Sequence, residues 1–229
     1  MSTSGSTRPA RRRFRPARRP AAAYHHGDLR RALIDAALHL IERQGPDGFT
    51  LREAARLVGV THTAPYRHFP DKTALLAAVA IEGMEGMHAA MAAAVAGLDD
   101  PAAQLQAMGV AYVSYAAAHP SHFRVMYSEA VEAAGGEPLA VVKQRKFALL
   151  LGVIQAAQAA GRMPPGPPER FALAAWASVH GLASLLIDGV VQRMQLAEGS
   201  PADLAEDLTG RLAAGLCGTG NRTLDADDR

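Results

Sequence analysis

Cysteine is almost missing: Cys217 stands alone in 229 residues. That excludes an internal disulfide framework and a zinc site built on several thiolates, and it fits a reducing compartment. Aromatic residues make up only 5%. β-rich chains draw on Val, Ile, Thr and aromatic residues, whereas alanine, leucine, methionine and arginine dominate here and favour helix. Long apolar runs are also lacking. The longest uncharged stretch that reads as helix, Phe171 to Ile187, has 17 residues and contains His180 with several Ser and Gly, so no membrane span or membrane partner is expected. Acids are absent from residues 1–23, which hold seven Arg and three Pro. Nothing there can build a core, and the segment reads as a disordered basic arm. Arg11-Arg12-Arg13-Phe14 looks like a twin-arginine export signal but no apolar segment follows it, so the chain is expected in the cytoplasm.

Catalytic signatures are missing too. There is no phosphate-cradling glycine loop and no nucleophile elbow. The nine His have no clustered Cys or carboxylate beside them, and His119 and His122 are three apart across a proline, a poor ligand geometry. The expectation is a protein that is not an enzyme and uses no metal or cofactor, with a helical metal-dependent enzyme as the remote alternative.

What is present is enough for a core: 49% of residues are hydrophobic and 20% charged. The formal charge of +2 conceals a split. Residues 1–80 hold 14 Lys+Arg against 6 Asp+Glu, and the other 149 hold 10 against 16. A basic N-terminal part joined to an acidic remainder implies one end that binds a polyanion and one that avoids it.

Apolar spacing of three and four residues runs through the chain. Leu29, Leu33, Ala36, Ala37, Leu40 and Ile41 mark a first helix that Gly45-Pro46-Asp47-Gly48 stops. Thr50-Leu51-Arg52-Glu53 is a capping-box start for a short helix that Gly59 ends. Thr61 is expected to cap a second short helix to about Phe69, and Asp71 a long one through Leu98, weakened in its middle by Gly83 and Gly86. Further helices are expected from Asp100-Pro101 to His119, over about 121–128, from Glu137-Pro138 to Gly161, over about 27 residues from Glu169 to Gln195, and from Ser200-Pro201 onward. The fold class is all-α.

The two short helices between Thr50 and Phe69, joined by Val58-Gly59-Val60, have the spacing of a helix-turn-helix. On a helical wheel His62, Thr63, Tyr66 and Arg67 share a polar face, while Thr61, Ala64, Pro65, His68 and Phe69 lie on or near the other side. Such a face suits base edges and phosphates, although a generic helix pair with a glycine turn has the same spacing. Lys72 sits at the next helix start, where free N–H groups can receive a phosphate.

The run Tyr66-Arg67-His68-Phe69-Pro70-Asp71-Lys72-Thr73-Ala74-Leu75-Leu76, preceded by Gly59-Val60-Thr61, resembles the signature of TetR-family transcriptional regulators. Tyr24-His25-His26-Gly27-Asp28-Leu29, His119-Pro120 with Phe123-Arg124, and Trp176 with His180-Gly181 resemble the AcrR-like branch with a Trp-His-Gly C-terminal domain. The resemblance covers about 24–216. It implies an N-terminal three-helix DNA-binding domain over 24–76 and a helical effector-binding and dimerisation domain over 77–217; the residues themselves read as a flexible tail over 218–229. It also implies a homodimer on a palindromic double-stranded operator, with repression relieved by a small apolar effector. Carried over by motif, Arg52, His62, Thr63 and Ala64 approach bases. Thr50, Tyr66, His68 and Lys72 hold phosphate, Arg67 does either, and Thr61 opens the helix that carries them. Arg52 suits guanine, and Ala64 can read only a thymine methyl.

The helix expected over 169–195 has two apolar rows: Leu173, Trp176, His180, Ser184 and Ile187, and Phe171, Ala175, Val179, Leu182, Leu186 and Val190. With Leu204, Leu208, Leu212 and Leu216 of the last helix, one side is expected to join an intersubunit four-helix bundle, the competing reading being an intramolecular core. Among Met84, Met108, Met126 and their neighbours, the candidates to touch an effector are Met87, Met91, Tyr112, Tyr115, Phe123, Trp176 and His180. Residues of these types at helical spacing also serve as plain core, which leaves an effector-independent DNA-binding dimer as the alternative. A ligand is expected to tilt the long helix and so change the separation of the two recognition helices.

Overall fold

The computed structural model describes residues 26–217; the basic arm, Tyr24, His25 and the tail after Cys217 lie outside them. The described residues form nine helices and no strand. Helix α1 (His26–Gln44) buries Leu33, Ile34, Ala36, Ala37 and Ile41 on one side. Helix α2 (Leu51–Val58) starts at the capping box: the Glu53 N–H donates to Thr50 Oγ1 at 3.2 Å, and the Thr50 N–H to Glu53 Oε2 at 2.8 Å. Gly59 closes α2 at φ 84°, where its N–H meets the Ala55 and Arg56 carbonyls, a conformation that favours glycine.

The second short helix departs from expectation. Residues 61–69 do not form an α-helix capped by Thr61; a four-residue 3₁₀ turn, Ala64–Arg67, takes its place. Pro65 has no N–H to give the Thr61 carbonyl, and the Thr61 and Thr63 hydroxyls lie 3.3 Å from each other instead of capping backbone. Pro65 and Phe69 are buried and anchor the turn from below.

Helix α3 (Lys72–Val95) starts at Asp71, whose carboxylate accepts from the Ala74 N–H at 2.8 Å. It ends before Leu98, with Gly97 at φ 78°. It belongs to both halves of the molecule: α1 packs on its first turns, and α4 (Pro101–Ala118), α5 (Pro120–Val125) and α6 (Glu129–Ala159) pack farther along. Every residue from Leu75 to Ala80 is buried. Gly83 and Gly86 are close-packing sites: a Cβ on Gly83 would stand 2.8 Å from the His122 Cβ, and one on Gly86 would overlap the Tyr115 ring.

Helix α6 begins eight residues earlier than expected. Gly136 (φ 51°, ψ −148°) breaks it, so the expected start at Glu137-Pro138 is its second half. The 27-residue helix is also divided. Helix α7 (Pro168–Ile187) stops, Gly189 turns the chain at φ 67°, and α8 (Val190–Arg193) follows. Helix α9 (Pro201–Cys217) packs along α4 and α7.

The apolar rows of α7 differ from expectation as well. Its buried face is Ala172, Ala175, Val179, Ala183 and Leu186, Trp176 and His180 are half-buried, and Leu173 stands outside at 59% exposure. By length and composition α3 and α7 both qualify as candidate membrane spans, which the uncharged-run reading did not anticipate; the apolar window is 56% buried in α3 but only 28% in α7. Helix α7 therefore keeps a second apolar side outside the subunit.

Candidate nucleic-acid interface and internal cavity

Thr50, Arg52, Thr61, His62, Thr63, Tyr66 and Arg67 are exposed, and Ala64, His68 and Lys72 are half-buried. All belong to α2, the 3₁₀ turn and their flanks. Side chains three apart eclipse in a 3₁₀ turn, so Thr63 aligns with Tyr66 and Ala64 with Arg67. Tyr66 is 48% exposed, unusual for an aromatic side chain unless something stacks on it or bonds its hydroxyl. Lys72 is already engaged: its Nζ donates to the Asp47 carbonyl at 3.1 Å and stands 5.1 Å from the Phe49 ring centroid. Arg30 covers the Phe69 ring at 5.3 Å. Residues 61–70 contain no acid. The result is a shallow cationic and hydroxylic face on an apolar base.

A partly open cavity of about 490 Å³ lies between α3, α4, α6, α7 and α9. Of the expected effector contacts, Met91, Tyr112 and Trp176 line it. Met87, Tyr115 and Phe123 do not. Met87 is wholly buried elsewhere along α3, Tyr115 packs over Gly86 with its ring 4.3 Å from that of His119, and Phe123 stands behind the wall. His180 is also outside the lining, but Phe123 lies against it at 5.1 Å between centroids, and its Nδ1 is 2.9 Å from Tyr112 Oη.

Five polar groups order themselves into a relay at the cavity wall. Lys146 Nζ donates to Tyr127 Oη at 2.6 Å, Tyr127 and Tyr112 hydroxyls are 3.0 Å apart, and Trp176 Nε1–H donates to Tyr112 Oη at 3.3 Å. With those donors fixed, one complete pattern has Tyr127 donating to Tyr112, and Tyr112 to an unprotonated His180 Nδ1. Burial, with a further push from the Lys146 charge, holds the His180 pKa below the usual imidazole value and so keeps the ring neutral. Burial likewise raises the pKa values of Tyr112 and Tyr127, which keeps both hydroxyls protonated as donors. Sequence reasoning found Tyr112, Trp176 and His180 but missed Tyr127 and Lys146.

The profile described as "Bacterial regulatory proteins, tetR family" matches residues 33–79, and "Tetracyclin repressor-like, C-terminal domain" matches 105–212. The first span carries the cationic face and the second carries every cavity-lining residue except Met91. The chain belongs to the TetR family. This family consists of DNA-binding transcriptional regulators, and its helix-turn-helix is the unit built here from α2 and the 3₁₀ turn. The Escherichia coli tetracycline repressor protein class D is 41% identical over 59 residues, 26% of this chain and 27% of that protein. The similarity thus spans about a quarter of that relative's length. A solved Rhodococcus sp. RHA1 protein of unknown function is 34% identical, with 85% of this chain and 98% of that one covered at a TM-score of 0.72. A tetR-family regulatory protein from Rhodococcus RHA1 shares the fold at 24% identity and TM-score 0.66, over 82% of this chain and 96% of that one.

In this TetR-family chain the two halves meet at a polar contact that sequence reasoning did not find. Arg31 of α1 pairs with Glu82 of α3 at 2.5 Å and with Asp35, and Glu82 also faces His122 Nε2 of α5 at 3.4 Å. Burial lowers the His122 pKa more than Glu82 raises it, so His122 is neutral near pH 7 and the contact is a hydrogen bond. Phe123, next to His122, touches Tyr112, Tyr127 and His180. Helix α5 therefore contacts the cavity wall and α1 at once. Among the described residues no group of His, Cys, Asp and Glu has the makings of a metal site.

Proposed function

We propose that this chain is a cytoplasmic homodimeric repressor whose α2 and 3₁₀ turn bind a palindromic operator, and that a small molecule with an apolar body, taken into the cavity, releases it. The observation that carries this reading is that α3 is common to both sites: Lys72 opens it beside the cationic face, and Met91 near its other end lines the cavity. In this reading Arg52 and His62 meet base edges, Thr63 and Ala64 lie against the groove floor, and Thr50, Thr61, Tyr66, Arg67, His68 and Lys72 hold phosphate. Two subunits span half-sites ~34–36 Å apart, so a shift of a few ångströms prevents both from docking. Met91, Tyr112 and Trp176 contact the effector, with His180 orienting Tyr112.

The test is selection of bound fragments from genomic DNA, followed by affinity measurements on the recovered palindrome. Arg52→Ala is expected to weaken the operator complex by about 1–3 kcal/mol and to relax preference at one base pair per half-site. An equal loss on operator and random DNA would remove Arg52 from base readout.

A further inference from the structure

Within that reading, on which the following inference rests, one group is unlike the rest of the cavity. Lys146 of α6 is 9% exposed, and its ammonium is surrounded by neutral groups. Nζ donates to Tyr127 Oη and lies 3.6 Å from Met84 Sδ, 5.0 Å from the Tyr127 ring centroid and 5.6 Å from that of Tyr112. No carboxylate among the described residues pairs with it. The acid on the cavity lining, Glu132, is paired instead with Lys143 at 2.7 Å, and the Lys143 charge still repels the Lys146 ammonium. A phenol, a thioether and two ring faces return less than water gave the cation, and Lys146 is among the residues that line the cavity. Burial, with a further push from the Lys143 charge, lowers the Lys146 pKa to about 8, which still leaves it largely protonated at neutral pH.

A cation buried without a counter-ion at the wall of a largely apolar cavity, whose other two charges are paired with each other, is complementary to an apolar molecule with one negative charge. We propose that the cavity takes a small amphipathic carboxylic acid, its carboxylate paired with Lys146 Nζ and its hydrocarbon body against Met91, Met108 and Leu150. A single carboxylate matches the single uncompensated charge, whereas a phosphate would bring a second charge with no partner. Tyr127 fixes the ammonium in place, and its ring packs 5.9 Å from that of Phe123, beside α5.

The chain carries its own reporter, because its one tryptophan, Trp176, lines the cavity. Titrations of the full chain with octanoate, octan-1-ol and octylamine, followed by Trp176 fluorescence, compare one hydrocarbon body with three head groups. The wild type is expected to bind octanoate at least ~10-fold more tightly than octanol, as one desolvated charge pair warrants, and octylamine most weakly. Lys146→Met is expected to abolish that preference while binding octanol as well or better. Equal affinity for acid and alcohol, no binding of octanoate up to its solubility, or an acid preference that survives in Lys146→Met overturns the proposal. The wild-type comparison decides by itself if Lys146→Met does not fold, and Tyr127→Phe, which keeps the ammonium, is expected to retain the acid preference. Operator binding by the ligand-free protein is measured in parallel. Intact operator binding without acid preference removes the acid and leaves the regulator; failure to bind any operator removes the regulator itself.

Discussion

A lysine ammonium held out of water with no counter-ion has a consequence for folding as well as for binding. Lys146 titrates at about 8 in the folded chain against 10.5 when free, so in that interval the unfolded chain binds more protons than the native one. Stability therefore rises with pH as the native ammonium is relieved of its charge; the penalty is complete only well below pH 8. Between pH 8 and 9.5 the gain is expected to be about 1–2 kcal/mol. Above pH 10 the tyrosines oppose it, because Tyr112 and Tyr127 keep their protons in the fold after the unfolded chain has shed them. Lys146→Met is expected to raise stability at pH 7 by about 1–3 kcal/mol and to flatten the slope, as read from denaturant midpoints across that pH range. A wild-type profile that is flat from pH 8 to 9.5 would mean the ammonium is better solvated than its surroundings indicate. Legibility was uneven at this scale. Tyr112, Trp176 and His180 stood out as aromatic and imidazole groups at helical spacing. Lys146 follows Lys143-Gln144-Arg145, which reads as an exposed charged surface, and only the packing of α6 on α3 turns it inward. Tyr127 lies in a short connection where periodicity carries no information.

Helix boundaries followed the caps closely wherever a cap exists. Thr50, Asp71 and Asp100 all bond the N–H groups that their side chains were expected to serve. Errors arose where backbone alone decides. Pro65 converts an expected helix to a 3₁₀ turn, Gly136 divides α6, and Gly189 ends α7, and none of these is marked by a change in apolar spacing. Gly83 is the reverse case: a residue that weakens a helix by propensity turns out to admit α5. Gly83→Ala is expected to push His122 and Met126 away and destabilise by about 1–3 kcal/mol, with a lower melting temperature as the readout. Because α5 also touches α1 and the cavity wall, the same change is expected to reduce the effect of any effector on operator affinity more than it reduces operator affinity itself. An unchanged melting temperature would show that α5 is held less tightly than the 2.8 Å approach implies.

For the whole molecule, the apolar outer side of α7 requires a cover. Leu173 and Leu185 are 59% and 42% exposed there, and of the α9 row Leu204, Leu208 and Leu216 are only half-buried, while Leu212 lines the cavity. A second copy is the partner that the operator symmetry of our reading calls for. Leu173→Glu combined with Leu185→Glu is expected to yield monomers by light scattering and at least ~100-fold weaker operator binding, since the second half-site no longer adds its share. A dimer that survives both changes would place the interface elsewhere. The charge split read from composition bears on the other end of the molecule. If the seven arginines of residues 1–20 neutralise phosphates, their deletion is expected to weaken binding to all sequences. It is also expected to flatten the plot of log affinity against log salt by ~0.9 for every phosphate no longer neutralised. An unaltered slope would remove the arm from the interface.

Seen as a lever, α3 has its fulcrum where Gly83 meets α5. From there to Lys72 is 11 residues, an arm of roughly 16 Å at ~1.5 Å per residue. A swing of about 10° around that point would carry the Lys72 end through about 3 Å, and two mirrored swings would change the reach of a pair by about 6 Å, roughly a sixth of a groove repeat. A guest that shifts Met91 on the opposite arm by little more than an ångström or two would then be magnified by leverage alone, without either headpiece having to deform.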